Sequence, residues 1–271
     1  MRWDTTVPDC DKFLVDGYQV FENIVPMKVI QEVRSFLSDK INETLEPAKR
    51  EIGSALDSDV VQVIGDIAAG RRGGVGSLSK STRDALSGHF SLEARLSQIL
   101  WKVPYSEKFQ SILRTLLASD DLYMHMPPTA RYVLPGNIHA GVPPHQDISY
   151  NKHMSNFVTI WVPFVDIDES CGGVTVYEGS GQAPEYSVEQ PSSDFWLQGV
   201  PTEGYMPVHC TMKAGSVLAL NKWVIHGSAA NRSSDIRIST DFRFFGAADR
   251  STKHYLDMKR RHVIQPEQET L

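Results

Sequence analysis

Two histidines and an aspartate carry the chemistry that this chain suggests. His145 and Asp147 stand two residues apart in mid-sequence, and His226 lies far downstream after an apolar run. Two imidazoles and one carboxylate can hold one face of Fe(II) and leave the other face open to reactants. On an extended strand, residues i and i+2 point to the same side. The third ligand must then arrive from a different strand, and His226 is a suitable source. By itself a His-x-Asp pair also fits a surface hydrogen bond, so the spacing needs support from elsewhere in the chain.

That support lies after His226. Ser228 follows it by two residues and Arg237 by eleven, and Ala229 to Ser234 between them reads as a turn. The two segments can therefore be neighbouring antiparallel strands. An arginine directed into a barrel mouth needs an anionic partner, because an unpaired desolvated charge is costly. Its planar fork suits a carboxylate. Arg243 lies six residues beyond Arg237. An unbroken strand would put both on one face, which makes Arg243 a candidate second clamp or substrate contact.

The chain resembles the phytanoyl-CoA dioxygenase family of iron- and 2-oxoglutarate-dependent oxygenases. The segments that carry the resemblance are Pro143-Pro144-His145-Gln146-Asp147, Trp161-Val162-Pro163, Cys171-Gly172-Gly173 through Glu178-Gly179-Ser180, and His226-Gly227-Ser228 through Arg237. Together they span Leu134 to Phe245. The resemblance implies a mainly β fold with N-terminal helices around a double-stranded β-helix core, the jelly roll of cupin-like proteins. It implies His145, Asp147 and His226 as the iron ligands and catalytic centre, and Arg237 with Ser228 as the seat of the distal carboxylate of 2-oxoglutarate. Asn156 and Thr159, on the strand expected after the iron loop, are candidates for a further contact to this cosubstrate. Family members often carry a histidine after the turn at Gly179-Ser180, where this chain has Gly181. That residue is not usually a ligand.

The activity so implied is oxidation of an unactivated C–H bond, hydroxylation by default, coupled to decarboxylation of 2-oxoglutarate by O2. The presence of Asp147 argues against halogenation, since related halogenases replace this carboxylate with a small residue. The expected substrate is a small polar metabolite or natural-product intermediate, with Tyr150, His153, Trp196 and Arg243 as candidate contacts. The rivals are an acyl-CoA hydroxylase of the same family, a cupin-like metal-binding module without turnover, and a metal-dependent isomerase. Basic residues clustered on the barrel rim would favour the acyl-CoA, acidic groups near the metal an amine, and an aliphatic tunnel a lipid. Trp161 reads as packing and Cys171 as structural, and His125, His139 and His209 are not needed for the triad.

Elements must position these groups. Ile30, Val33, Leu37 and Ile41 recur at helical spacing within Phe21 to Leu45, with Pro26 near the first turn. A second helix is expected over Ser91 to Leu100, with Leu92, Leu96 and Ile99 inward and Pro104 ending it. A third starts near Ser106, with Phe109, Ile112, Leu113 and Leu116 inward. Glu51 to Gly88, rich in Gly, Ser and Asp, reads as a loop with a short helix, or as a lid over the site. From Tyr123 the pattern changes to short runs rich in Val, Ile, Thr and aromatics: Ala130 to Leu134, Phe157 to Val165, Gly173 to Tyr177, Ser216 to Leu220 and Ile236 to Phe244. Such runs, punctuated by Pro, Gly, Asn and Asp, indicate an antiparallel sandwich or barrel. The expected layout of this single oxygenase domain is helical support over 1–122, a jelly-roll core over 123–248 and a tail over 249–271. The loop Gly181 to Pro207 would shape specificity at the barrel mouth.

Composition bounds the class of protein. The chain has 271 residues, 41% of them hydrophobic, and a formal net charge of -6 with both signs mixed along it. No basic stripe suggests nucleic acid, and the basic cluster from Lys253 to His262 reads as a solvated end. Three scattered cysteines do not form a disulfide framework. The N-terminus shows no secretory apolar segment, and no apolar run approaches the ~18 residues of a membrane span. The expectation is a cytoplasmic monomer or homodimer with no membrane partner.

Overall fold

The computed structural model describes residues 8–53, 57–71, 75–139, 141–187 and 199–266. Helices come first. α1 (Cys10–Asp16) is capped by Asp9, whose side chain accepts from the Lys12 N–H, and it stops at Gly17 with φ at 80°. α2 (Met27–Ile52) buries Ile30, Val33, Leu37, Ile41 and Leu45, the stripe its spacing predicts. Its start lies later than the pattern suggested, because Phe21 belongs to the strand β1 (Tyr18–Phe21). The segment expected as a loop is largely helical. α3 (Asp57–Ala68) buries Val60, Val63, Ile64 and Ile67, and α4 (Lys80–Leu86) is capped by Ser79. Glu51 ties the two ends of this segment together by accepting from the Ser79 N–H and from the Ser79 and Thr82 hydroxyls.

α5 (Leu92–Leu96) departs from the sequence pattern. Leu92 and Leu96 are exposed, and Ala94 is the buried residue of the helix. Leu92 and Leu96 share one face of this short helix, and that face is the exposed one. The chain then turns into a 3₁₀ segment, Leu100–Tyr105, where Leu100, Val103 and Pro104 take the inward positions. Pro104 is accommodated inside this tighter turn and does not end the α-helix. α6 (Glu107–Leu117), capped by Ser106, buries Phe109, Ile112 and Leu113 as expected.

The strands are β2 (Leu122–His125), β3 (Thr129–Val133), β4 (Val158–Pro163), β5 (Val174–Glu178), β6 (Met206–His209), β7 (Val217–Asn221), β8 (His226–Ser228), β9 (Arg237–Gly246), β10 (Tyr255–Asp257) and β11 (His262–Ile264). One short helix, α7 (Asp147–Tyr150), interrupts them. A large sheet runs β1-β7-β4-β9-β2-β10-β11, with β3 also paired to β9, and a smaller sheet runs β6-β5-β8. The pairings are antiparallel throughout. The segment expected as a C-terminal tail extends the large sheet, since β10 pairs with β2 and β11 with β10.

The two-residue period of a strand sorts the layers. Val217 and Ala219 of β7 pack toward the helices, whereas Leu218 and Leu220 pack toward the smaller sheet. Val158, Ile160 and Val162 of β4 face the helices, and Trp161 faces the other way. β9 divides most sharply. Ile238, Phe242 and Phe244 join the helix-side core, and each contributes ~1.5–3 kcal/mol by burial. Arg237, Ser239, Asp241 and Arg243 line the opposite, hollow side.

Two glycines let backbones meet at close range. A Cβ at Gly181 would sit 2.5 Å from the Gly17 nitrogen and 2.6 Å from the Val15 carbonyl. Position 181 is therefore closed to any side chain, histidine included. Gly172, with φ at 75°, approaches the Ala229 carbonyl so closely that a Cβ would lie 2.5 Å from it.

Candidate metal centre and its cavity

His145 and His226 meet across a β-bridge. Each donates its backbone N–H to the other's carbonyl, at 2.8 and 2.9 Å. The ring centroids lie 4.4 Å apart. This bridge explains how ligands so distant in sequence converge. Gln146 is extended, with φ at -113° and ψ at 138°, so the alternation of sides survives although Asp147 begins a helix and not a strand. The Gln146 side chain turns away from the centre, where its amide donates to the Pro184 and Trp223 carbonyls.

Donor atoms of His145, Asp147 and His226 all lie within 4.8 Å of one another. The Nδ1 of His145 is 2.9 Å from the Pro143 carbonyl, and that of His226 is 3.1 Å from the Val224 carbonyl. A carbonyl only accepts, so both Nδ1 atoms carry the proton. Each Nε2 then keeps its lone pair for a metal, with the ring orientation fixed from behind.

The charge states suit a divalent cation. Burial, reinforced by the neighbouring His226, pushes His145 down to about 3, so its imidazole is neutral. Burial opposes ionisation of Asp147, but Arg243, His226, His145 and the Thr159 hydroxyl outweigh it and hold the carboxyl below the usual carboxylate range. Arg243 donates to Oδ1 of Asp147 at 2.9 Å, and Thr159 donates to Oδ2. Two imidazoles anchored through Nδ1 and one ionised carboxylate, open to a cavity on one side, fit Fe(II) with places left for a bidentate oxo acid and O2.

The cavity has a volume of about 550 Å³. The face of β9 supplies Arg237, Ser239, Asp241 and Arg243, and β3 sets Arg131 opposite Ser239. Arg237 is 2% exposed. Its Nη1 donates to the Gly172 carbonyl, and its Nε has no hydrogen-bond partner among the described residues. Burial lowers it to about 10, which still leaves it charged near neutrality. A buried guanidinium whose described partner is a single carbonyl is suited to an incoming carboxylate.

Several expected contacts are found at the cavity: Ser228, Tyr150, His153 and Arg243 line it, and the Tyr150 ring stands edge-on to His145 at 5.5 Å. Others are not. Thr159, expected to touch the cosubstrate, spends its hydroxyl on Asp147, to which β4 delivers it from a position opposite Arg243. Asn156 is exposed, precedes β4 and does not line the cavity. Trp196 lies outside the described residues. Trp161, read as packing, packs between the sheets and also lines the cavity. Cys171 is a buried free thiol directed at the Asp166 carbonyl.

The sequence reading missed Asp241, Ser239, Arg131, Arg95 and His125, all of which line the cavity. Asp241 and Ser239 were within reach of the parity argument that joined Arg237 to Arg243. Burial raises the Asp241 carboxyl, against the opposing pull of Arg243. His125 lies against His153 with ring centroids 4.6 Å apart and ring planes tilted by 49°. No helix among the described residues is long and apolar enough to cross a membrane.

Comparison with known proteins agrees with this geometry. The family model of phytanoyl-CoA dioxygenase (PhyH) matches residues 13–239. Similar solved structures include the non-heme monooxygenase ThoJ in its apo form, at 13% identity and TM-score 0.60, covering 96% of this chain and 84% of that one. EvdO2 from Micromonospora carbonacea var. aurantiaca complexed with 2-oxoglutarate is 14% identical with TM-score 0.59, over 93% of this chain and 95% of that one. EctD from S. alaskensis with 2-oxoglutarate and 5-hydroxyectoine is 18% identical with TM-score 0.56, over 92% and 79%. These likenesses are of fold. No curated protein matches the sequence.

Proposed function

The chain belongs to the phytanoyl-CoA dioxygenase family of Fe(II)/2-oxoglutarate-dependent oxygenases, and from that premise we propose that it hydroxylates a C–H bond of a small polar metabolite held in the cavity between β9 and the triad. The single observation that carries this reading is the alignment of two Nδ1-anchored imidazoles and an ionised Asp147 on the cavity that Arg237 also faces. When bound, Fe(II) supplies the coordination and redox chemistry that couples decarboxylation of 2-oxoglutarate to oxidation of the substrate.

The protein's own part is placement. His145, Asp147 and His226 hold the metal, and the Pro143 and Val224 carbonyls fix the two rings. Arg237, with Ser228 and Ser239 beside it on the cavity wall, receives the distal carboxylate of the oxo acid. Thr159 and Arg243 fix the Asp147 carboxylate. Tyr150 and His153 contact the substrate from the segment that follows the metal loop.

The size of the substrate follows from where the basic groups are. Apart from the exposed Lys253, the cations that line the cavity are buried or half-buried. They address a group that enters the cavity, which supports a small substrate over an acyl-CoA whose headgroup stays on the rim. The test is substrate-dependent succinate formation by iron-loaded protein. Iron-loaded protein that fails to bind 2-oxoglutarate overturns the reading. Binding of the oxo acid without decarboxylation, over a broad substrate panel, would instead identify a module without turnover.

A further inference from the structure

The cavity is strongly unbalanced in charge. Arg95, Arg131, Arg237, Arg243 and Lys253 line it, against two carboxylates, Asp147 and Asp241. That is five cations to two anions, an excess of three. Binding the cofactors leaves the excess unchanged, because Fe(II) adds two positive charges and the 2-oxoglutarate dianion removes two. Cations facing a desolvated space call for an anion there.

The excess is also localised. Arg237 and Arg243 mark the two ends of the β9 stripe, six residues or ~20 Å apart along an extended strand. At the Arg243 end, Arg243 donates to the Thr129 hydroxyl, the His125 and His153 rings lie 4.6 Å apart, and the residues flanking Lys253 are tied in by the Thr252 N–H to the His153 carbonyl and by the Met126 N–H to the His254 carbonyl. Arg243 is committed to Asp147. Arg95 has no carboxylate within bonding distance among the described residues; its guanidinium donates through Nε to the Pro128 carbonyl at 3.0 Å. Asp241, the remaining carboxylate, lies mid-stripe, under the influence of Arg243 on one side and Arg131 on the other.

Resting on the oxygenase reading above, we infer that the substrate carries an anionic group, a carboxylate or a phosphate ester, and that Arg95, Lys253 and the His125–His153 pair seat it at the end of the cavity remote from Arg237. Arg95 offers its terminal N–H donors, and Lys253 adds a mobile charge at the opening. The His125 and His153 rings are hydrogen-bonded to each other between Nδ1 and Nε2 at 3.4 Å, so one of the two keeps an N–H for the anion. The anion is then held at one end of the substrate, and the carbon beyond it is presented to the metal. This is a second anion site, separate from the one that receives the oxo acid.

The test uses the full chain loaded with Mn(II) and saturated with 2-oxoglutarate, titrated calorimetrically with hexanoate, hexyl phosphate, hexanol and hexylamine. The expected result is that at least one of the two anions binds ten-fold or more tighter than the alcohol and the amine, and the tighter anion shows whether the group is a carboxylate or a phosphate. Arg95→Gln and Lys253→Gln should each reduce that affinity about ten-fold; Lys253 is exposed, so its variant tests the site even where loss of Arg95 disturbs folding. Equal binding of hexanol, tighter binding of hexylamine, displacement of the anion by 2-oxoglutarate, or wild-type affinity in both variants would overturn the inference. Titrating 2-oxoglutarate itself into the Mn(II) protein is a separate readout. Its failure would sink the oxygenase reading, while an intact oxo-acid site with no anion preference would sink only the second site.

Discussion

Arg243 and Asp147 form an ion pair of 2.9 Å at the centre of the molecule, with Arg243 15% and Asp147 2% exposed. The carboxylate expected to bind iron therefore already has a cation beside it. Burial lowers the Arg243 pKa, but Asp147 and Asp241 more than reverse this, so both members of the pair stay charged.

Arg243→Met should destabilise the metal-free protein by about 3–5 kcal/mol, because it leaves a buried carboxylate without its cation. A divalent ion can supply the lost charge. Mn(II) should therefore stabilise the variant more than it stabilises the wild type. Urea unfolding with and without Mn(II) measures both. An identical loss in the two conditions would show that Arg243 does not act through Asp147.

Thr159 separates two roles that look alike from the sequence. Its hydroxyl donates to Asp147 and not into the cavity. Thr159→Val should lower metal affinity about ten-fold, in the range seen when a ligand's own hydrogen-bond partner is removed. The KM for 2-oxoglutarate at saturating iron should stay unchanged. A raised KM with normal metal affinity would restore Thr159 as a cosubstrate contact.

What was legible in the sequence divides along physical lines. His145, Asp147 and Arg237 could be found because strand alternation and a resemblance in motif order act over short segments. Asp241 was equally accessible, since parity from Arg237 passes through it, yet a lone acid gave no reason to ask. Arg95 and Arg131 could not be found, because α5 and β3 reach the cavity only through tertiary packing. Leu92 and Leu96 misled for a related reason: helical spacing was read across a stretch that folds as a single short helix and then a 3₁₀ turn. The helices between Glu51 and Gly88 were hidden by the Gly and Ser residues at their ends.

Acid should unfold the metal-free protein through histidines away from the metal ligands. Burial is the leading cause that lowers His89 and His125 to about 3 and His153 to about 4. Each pKa is below its unfolded value near 6.5, so the unfolded chain takes up protons first. The stabilising effect is complete above about pH 6.5 and is lost as pH falls toward the folded values. The slope of stability against pH in this window is up to ~1.4 kcal/mol per unit for His89 and for His125, and less for the less deeply buried His153. His125→Gln should flatten it by about one proton, read from urea unfolding at several pH values. An unchanged slope would mean that His125 titrates normally in the folded chain.

Arg237 poses stability against function. Among the described residues it is the bulkiest fully buried side chain, and its described partner is the Gly172 carbonyl. Holding a charge there without a counter-ion disfavours the folded state until a carboxylate arrives. Arg237→Met keeps most of the volume and removes the charge. The ligand-free variant should be more stable than wild type by about 1–4 kcal/mol, the gain typical of replacing buried charge with a well-packed apolar group. Its affinity for 2-oxoglutarate should fall at least ~30-fold, since a desolvated ion pair contributes about 2 kcal/mol or more. Adding 2-oxoglutarate with Mn(II) should then reverse the order of stabilities, because only the wild type gains from the ligand. Arg237→Lys keeps the charge but loses the planar fork, so it should bind the oxo acid weakly without becoming more stable. If Arg237→Met is instead less stable without ligand and binds 2-oxoglutarate normally, the residue is a structural strut that holds Gly172 in place, and the oxo acid must be seated elsewhere along the β9 face.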